Sequence, residues 1–171
     1  MSLVNGVVIG LVTNVNDPEK LGRIKVAFPW LDASFESDWI RIARLMAGNG
    51  RGSFFMPEVD DEALLAFEHG DVRFPYVIGF LWNGEDKPPA DHVRDRVLKS
   101  KNGHMIRFLD STPAGGDKGG IVIEDAHKNR ITLSNAKITI QSTGTLMLEG
   151  HNVVLKVNGV DRVVAPNGNI I

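Results

Sequence analysis

A chain of 171 residues has room for one or two domains, and 43% apolar with 23% charged residues is the balance of a soluble protein. A formal net charge of −2 offers no electrostatic reason to seek DNA or an anionic membrane. With no cysteine, a disulfide framework and a thiolate metal site are both excluded.

The start, "MSLVNGVVIGLVTNVNDPEK", has no basic segment before its apolar residues and no A-x-A-like cleavage site. No apolar run approaches the roughly 18 residues that span a bilayer as a helix. The expectation is a chain made and folded in the cytoplasm. Strand formers and glycines dominate, and a 3.6-residue period nowhere persists, so the chain reads as all-β. One or two helical turns are predicted only near "ADHVRDRV" (90–97).

In chain order, "VNGVVIGLVTNV" and "GRIKVAFPWL" read as strands joined by the turn formers of "NDPEKL". "DWIRIARL" follows, with Ile40 and Ile42 alternating against Arg41 and Ala43, and then "DEALLAFEHG" and "PYVIGFLWN". About five strands around a small apolar core suit an OB-type barrel over residues 1–82; a sandwich fragment is the alternative. The polar, proline-containing stretch 83–97 reads as a linker.

From residue 98 to 171 the texture changes to "GHMIRFLDS", "GGIVIEDAH", "NRITLSN", "AKITIQS", "GTLMLEG" and "HNVVLKVNG". These are short period-two strands, each closed by a turn former, as in a β-helix or stacked solenoid. The predicted apolar face is Ile121, Ile123, Ile131, Leu133, Ile138, Ile140, Leu146, Leu148, Val153, Leu155 and Val157. Its parity shifts between Leu133 and Ile138 and again between Leu148 and Val153, which predicts corners between flat faces. One chain cannot bury such a face alone. Three chains winding together would, forming an intertwined triple-stranded β-helix with the apolar faces on its axis and no exposed edges. Seven layers at about 4.7 Å make a rod of roughly 30–35 Å.

Several motifs have a functional and a plain structural reading. Glu58, Asp60, Asp61, Glu62 and Glu68 lie close in sequence, but glycosidase chemistry needs two carboxylates across a cleft, and acids at a strand entry usually cap turns. "GNGRG" (48–52) lacks the Lys-Ser/Thr ending of a phosphate loop and reads as a flexible barrel loop. Trp30, Trp39, Phe54, Phe55 and Trp82 beside Arg41, Arg44 and Arg51 offer a nucleic-acid stacking surface, against which stands the missing positive charge. His104 and His127 could gather on a three-fold axis as metal ligands, or simply sit on strand surfaces.

"GRIKVAFPWLD", "WIRIARL", "GSFFMPEVDDEALLAFEHGD" and "PYVIGFLWNGEDKPP", in this order over about residues 5–89, resemble the OB-fold of contractile-injection spike proteins. These are the VgrG proteins of type VI secretion and the baseplate assembly protein V group of phage tails. "KSKNGHMIRFLD" and "IVIEDAHKNRITLSNAKITI" resemble the start of that family's trimeric needle. The large hub domains that precede the OB-fold in VgrG, and the lysozyme-like insertion of some spikes, have no counterpart here. Some short spikes hold iron through an H-x-H motif. His69, His92, His104, His127 and His151 are not so spaced, and that site is not carried over.

The resemblance implies a homotrimeric, membrane-piercing spike with no enzymatic activity, cofactor or metal. It implies a baseplate hub at the N-terminal end, a PAAR-like tip protein at the C-terminal end, a target cell envelope ahead, and no nucleic acid. The spike would assemble into a phage tail, a secretion apparatus or an extracellular injection particle. Pro166, Asn167, Ile170 and Ile171 are either a frayed terminus or the apolar platform on which the tip docks. The alternative function is an OB-fold nucleic-acid-binding protein.

Overall fold

The structure, a computed structural model, describes residues 3–112, 116–157 and 160–163, without the side chains of 32–34, 155–157 and 160–163. The chain divides into two compact units, Met1–Pro88 and Pro89–Ile171. Among the described residues there is no α-helix, only strands and one 3-10 turn at Glu68–Gly70.

In the first unit β1 (Val7–Asn14), β2 (Lys25–Phe28), β3 (Asp32–Glu36), β4 (Arg41–Ile42), β7 (Glu62–Phe67) and β8 (Pro75–Leu81) form one sheet, in the order β3-β2-β1-β7-β8-β4. The short strands β5 (Ala47–Gly48) and β6 (Arg51–Gly52) pair as a separate hairpin. Ile24 and Ile40, just ahead of β2 and β4, exchange backbone hydrogen bonds of 3.0 and 2.8 Å, which brings β4 round to β2. The ring then runs β1-β2-β4-β8-β7 and back to β1, with β4 and β8 parallel and the other ladders antiparallel. That is the curled five-stranded arrangement of an OB barrel.

Its core follows from period two: β7 places Ala63, Leu65 and Phe67 inward, and β2 places Val26 and Phe28. Val12, Ile24, Ile40 and Val77 complete it. Two features were not predicted. β3 has no apolar alternation; it holds to β2 through its ladder, through Phe35 against Phe28 (centroids 5.8 Å apart), and through Glu36, which accepts from Thr13 and Lys25. "GNGRG" is a paired hairpin rather than a flexible loop.

In the second unit β9 (Asp95–Lys99), β10 (Met105–Leu109), β11 (Gly120–Glu124), β12 (Arg130–Ser134) and β13 (Lys137–Gln141) form an antiparallel meander, each strand beside the next. β14 (Val154–Val157) and β15 (Val160–Val163) pair as a hairpin. The helical turns predicted at 90–97 are absent: a turn at His92 leads straight into β9, whose backbone is taken up by the antiparallel ladder with β10. The predicted linker thus yields its last three residues to β9.

The parity shift between Leu133 and Ile138 also has a different origin from a corner. Asn135 and Ala136, at φ 48° and 59°, form a two-residue hairpin loop that pairs Leu133 with Ile138 across neighbouring strands. The predicted strand "GTLMLEG" is not one: residues 142–153 carry no strand, because the sheet ends at β13 and no neighbour supplies a ladder.

Candidate functional site

The β9–β13 registers bring apolar side chains into rows on one face of the meander. Leu98, Ile106, Ile123, Ile131 and Ile140 stand side by side, one from each strand. The next row on the same face is Arg96, Phe108, Ile121, Leu133 and Ile138. In the single chain this face lies open: Ile138 is 70% exposed, Ile140 54% and Phe108 43%. The open face carries one ion pair, Arg96 with Asp110 at 2.5 Å, and the opposite face carries several beside Val97 and Val122. Arg107 pairs with Asp95, while Glu124 accepts from Lys128 (2.9 Å) and from Arg130. The hydrogen bonds from Lys128 and Arg130 hold the buried Glu124 carboxyl below its ordinary value.

Of the predicted face, Ile121, Ile123, Ile131, Leu133, Ile138 and Ile140 therefore meet on one surface. Leu146 and Leu148 are exposed outside any strand, and Val153 precedes β14. Leu155 and Val157 belong to β14, but their side chains lie outside the described residues, as do Pro166, Asn167, Ile170 and Ile171. Leu98, Ile106 and Phe108 share the surface and were missed. In "HMIRFLD" both alternating sets are partly apolar, so period two alone does not say which faces Ile123; the register does.

The barrel carries a second feature, a cleft of about 670 Å3 at the β1–β2 loop, β4 and the β5–β6 hairpin. Lys20, Arg41, Arg44 and Arg51 line it with Phe54, and no acid does. Arg44 donates to the carbonyl of Gly22 (3.4 Å) and that of Phe55, lies 5.7 Å over the Phe54 ring, and is pushed down in pKa by burial. Arg41 donates to the Tyr76 hydroxyl at 2.8 Å. So the three arginines and Phe54 of the predicted stacking surface do meet. Trp30 instead packs edge-on against Phe28, and Trp39 sits 5.6 Å from the Lys25 ammonium.

The acidic stretch performs turn and cross-strand work. Asp61 accepts from the Glu58 backbone at 2.8 Å, Glu62 from Asn83 at 3.2 Å and Glu68 from the Tyr76 hydroxyl at 2.5 Å. His104 Nδ1 accepts from the Ala126 backbone at 3.3 Å, tying β10 to the β11–β12 turn.

Known proteins match this sequence over the barrel. The sequence model of the type VI secretion system/phage-baseplate injector OB domain fits residues 8–82, the barrel just described. The spike protein VgrG2a of Pseudomonas aeruginosa is 28% identical over 106 residues, 55% of this chain and 13% of that protein. VgrG5 of the same organism is 31% identical over 112 residues, 63% of this chain and 13% of its own length. VgrG3 of Vibrio cholerae is 31% identical over 90 residues, 48% of this chain and 9% of its own length. The chain thus spans a small part of these type VI secretion spike proteins. The chain is VgrG-like, and residues 8–82 match the injector OB domain of type VI secretion systems and phage baseplates.

Proposed function

We propose that the protein is the homotrimeric central spike of a contractile injection apparatus. The observation that carries this reading is the open aliphatic face of the β9–β13 meander. Fully burying a Val, Leu, Ile or Phe side chain is worth about 1.5–3 kcal/mol, so these rows are a large unsatisfied term for a lone chain. Three such sheets facing inward as the walls of a prism would bury them together, with the strands stacked along the axis and the ion-paired face outward. Five strands at 4.7–4.9 Å make a wall about 20–25 Å long, and the intertwined triple-stranded β-helix would continue it.

The work is mechanical. The barrel seats on a baseplate hub, the needle carries the force of sheath contraction to a target envelope, and a PAAR-like protein caps the tip at Pro166–Ile171. The spike reading assigns no catalytic step, cofactor or metal to any residue. Light scattering on the purified chain tests it: the expected mass is three times 18.7 kDa, and a folded monomer at micromolar concentration would sink it.

One observation favours a second reading, an OB-fold that binds single-stranded nucleic acid: Arg41, Arg44, Arg51 and Phe54 share one cleft. The net charge of −2 opposes it, because phosphate neutralisation dominates such affinity. A gel shift at low salt separates the two.

A further inference from the structure

We propose that the cationic cleft of one barrel receives the acidic, aromatic patch around Trp82 of a second copy, so that three barrels join head to tail in a closed ring. The inference rests on the trimeric reading above and names the barrel surfaces that would make the contact.

The cleft is unusual within its own unit. Three other cations of the barrel sit on carboxylates: Arg23 on Asp17, Lys25 on Glu36 and Arg73 on Asp71. Among the described residues no ion pair joins Lys20, Arg41, Arg44 or Arg51 to an acid. The guanidinium of Arg44 is instead held by carbonyls and an aromatic face, which fix its position without neutralising it. Around it Leu21 is 66% and Phe54 74% exposed, so the cleft joins apolar surface to uncompensated positive charge.

The same unit carries the complement. Asp61, Glu85 and Asp86 surround Phe80, Leu81 and Trp82, with Lys87 the cation among them. Trp82 is 67% exposed. The acids are presented on a built turn: Asn83 Oδ1 accepts from the backbones of Glu85 (2.8 Å) and Asp86 (2.7 Å). The two patches share no residue.

An exposed aromatic with acids at its margin fits an apolar cleft with arginines at its margin, which is the composition of a specific interface. A two-fold dimer through either patch would set like charges against each other. A reciprocal two-fold pair could also join cleft to patch, but in a trimer that contact is heterologous, and a heterologous contact that closes makes a ring.

The native chain has no cysteine, so cross-linking reads the contact directly in the full-length protein. Ser53 lines the cleft and Lys87 the acidic patch. The double variant Ser53→Cys/Lys87→Cys, treated with a short bis-maleimide, should give a covalent trimer on a denaturing gel. Either single variant should give none. Arg51→Glu should slow the cross-link about tenfold, and adding Asp86→Arg should restore it.

A trimeric mass without cross-linking overturns this interface and leaves the spike reading standing, whereas a monomeric mass overturns both. Dimers from a single-cysteine variant would mean that like patches meet, and the proposal fails. Labelled oligo(dT) that binds the wild-type chain and is released by Arg51→Glu would make the cleft a nucleic-acid site, and the proposal fails again.

Discussion

Asp17 holds the β1–β2 loop through one carboxylate, which accepts from the backbones of Glu19, Leu21 and Arg23 and from the Arg23 guanidinium at 2.7 and 3.0 Å. The Arg23 side chain, first among the causes, holds the Asp17 carboxyl well below the usual carboxylate range, and Arg73 holds Asp71 down to about 2. A carboxyl lowered in the folded state contributes stability above its unfolded pKa of about 3.9, and that stability is lost as pH falls through the folded value. The melting temperature should therefore be flat from neutral pH to about 5 and drop between about 4 and 2. Asp17→Asn should lower it at pH 7 and flatten the acid limb; parallel pH profiles for variant and wild type would refute this.

Two backbone positions give a paired test by thermal unfolding. Gly119 has φ 81°, and a Cβ there would lie 1.6 Å from the Leu109 carbonyl oxygen, so Gly119→Ala should cost about 3 kcal/mol or more. Ala136 has φ 59° in the hairpin loop, and Ala136→Gly should stabilise by about 1 kcal/mol by removing left-handed strain.

At the scale of the element, the meander has two faces that a single chain and a trimer treat oppositely. Ile131 stands on the open face, 39% exposed, while Thr132 next to it stands on the other, opposite Thr139. In a lone chain Ile131→Asp would touch little. On a dry three-fold axis it would gather three carboxylates, costing several kcal/mol each if ionised. The expected outcome is loss of trimer or of soluble protein for Ile131→Asp, with Thr132→Asp close to wild type. Equal melting temperatures and masses for the two variants would mean that the open face packs on nothing.

For the whole molecule, the question is how much of the chain belongs to the folded spike and how much serves its tip. Residues 166–171 follow in sequence β15, the last strand among the described residues. Ending the chain at Ala165 should leave trimer mass and melting temperature within error, and should abolish cap occupancy on assembled particles. A cap that still binds fully would place its docking site elsewhere. A truncated chain that no longer assembles would make these residues part of the fold.

Alternation in single strands was enough to determine the all-β class and which apolar residues of β11, β12 and β13 share a face. Strand existence depends on nearby side chains and is written locally. What local patterning cannot contain is which strand lies beside which. The parallel β4–β8 ladder and the Ile24–Ile40 bridge that close the barrel join residues far apart in sequence. β3 exists only because β2 offers it an edge, and 142–153 lacks a strand because no edge is offered. Pairing likewise decided that Leu98, Ile106 and Phe108 share a face with Ile123, and that Arg41, Arg44 and Arg51 share a cleft with Phe54. Backbone groups find partners through space, and the side-chain rows follow from those partners.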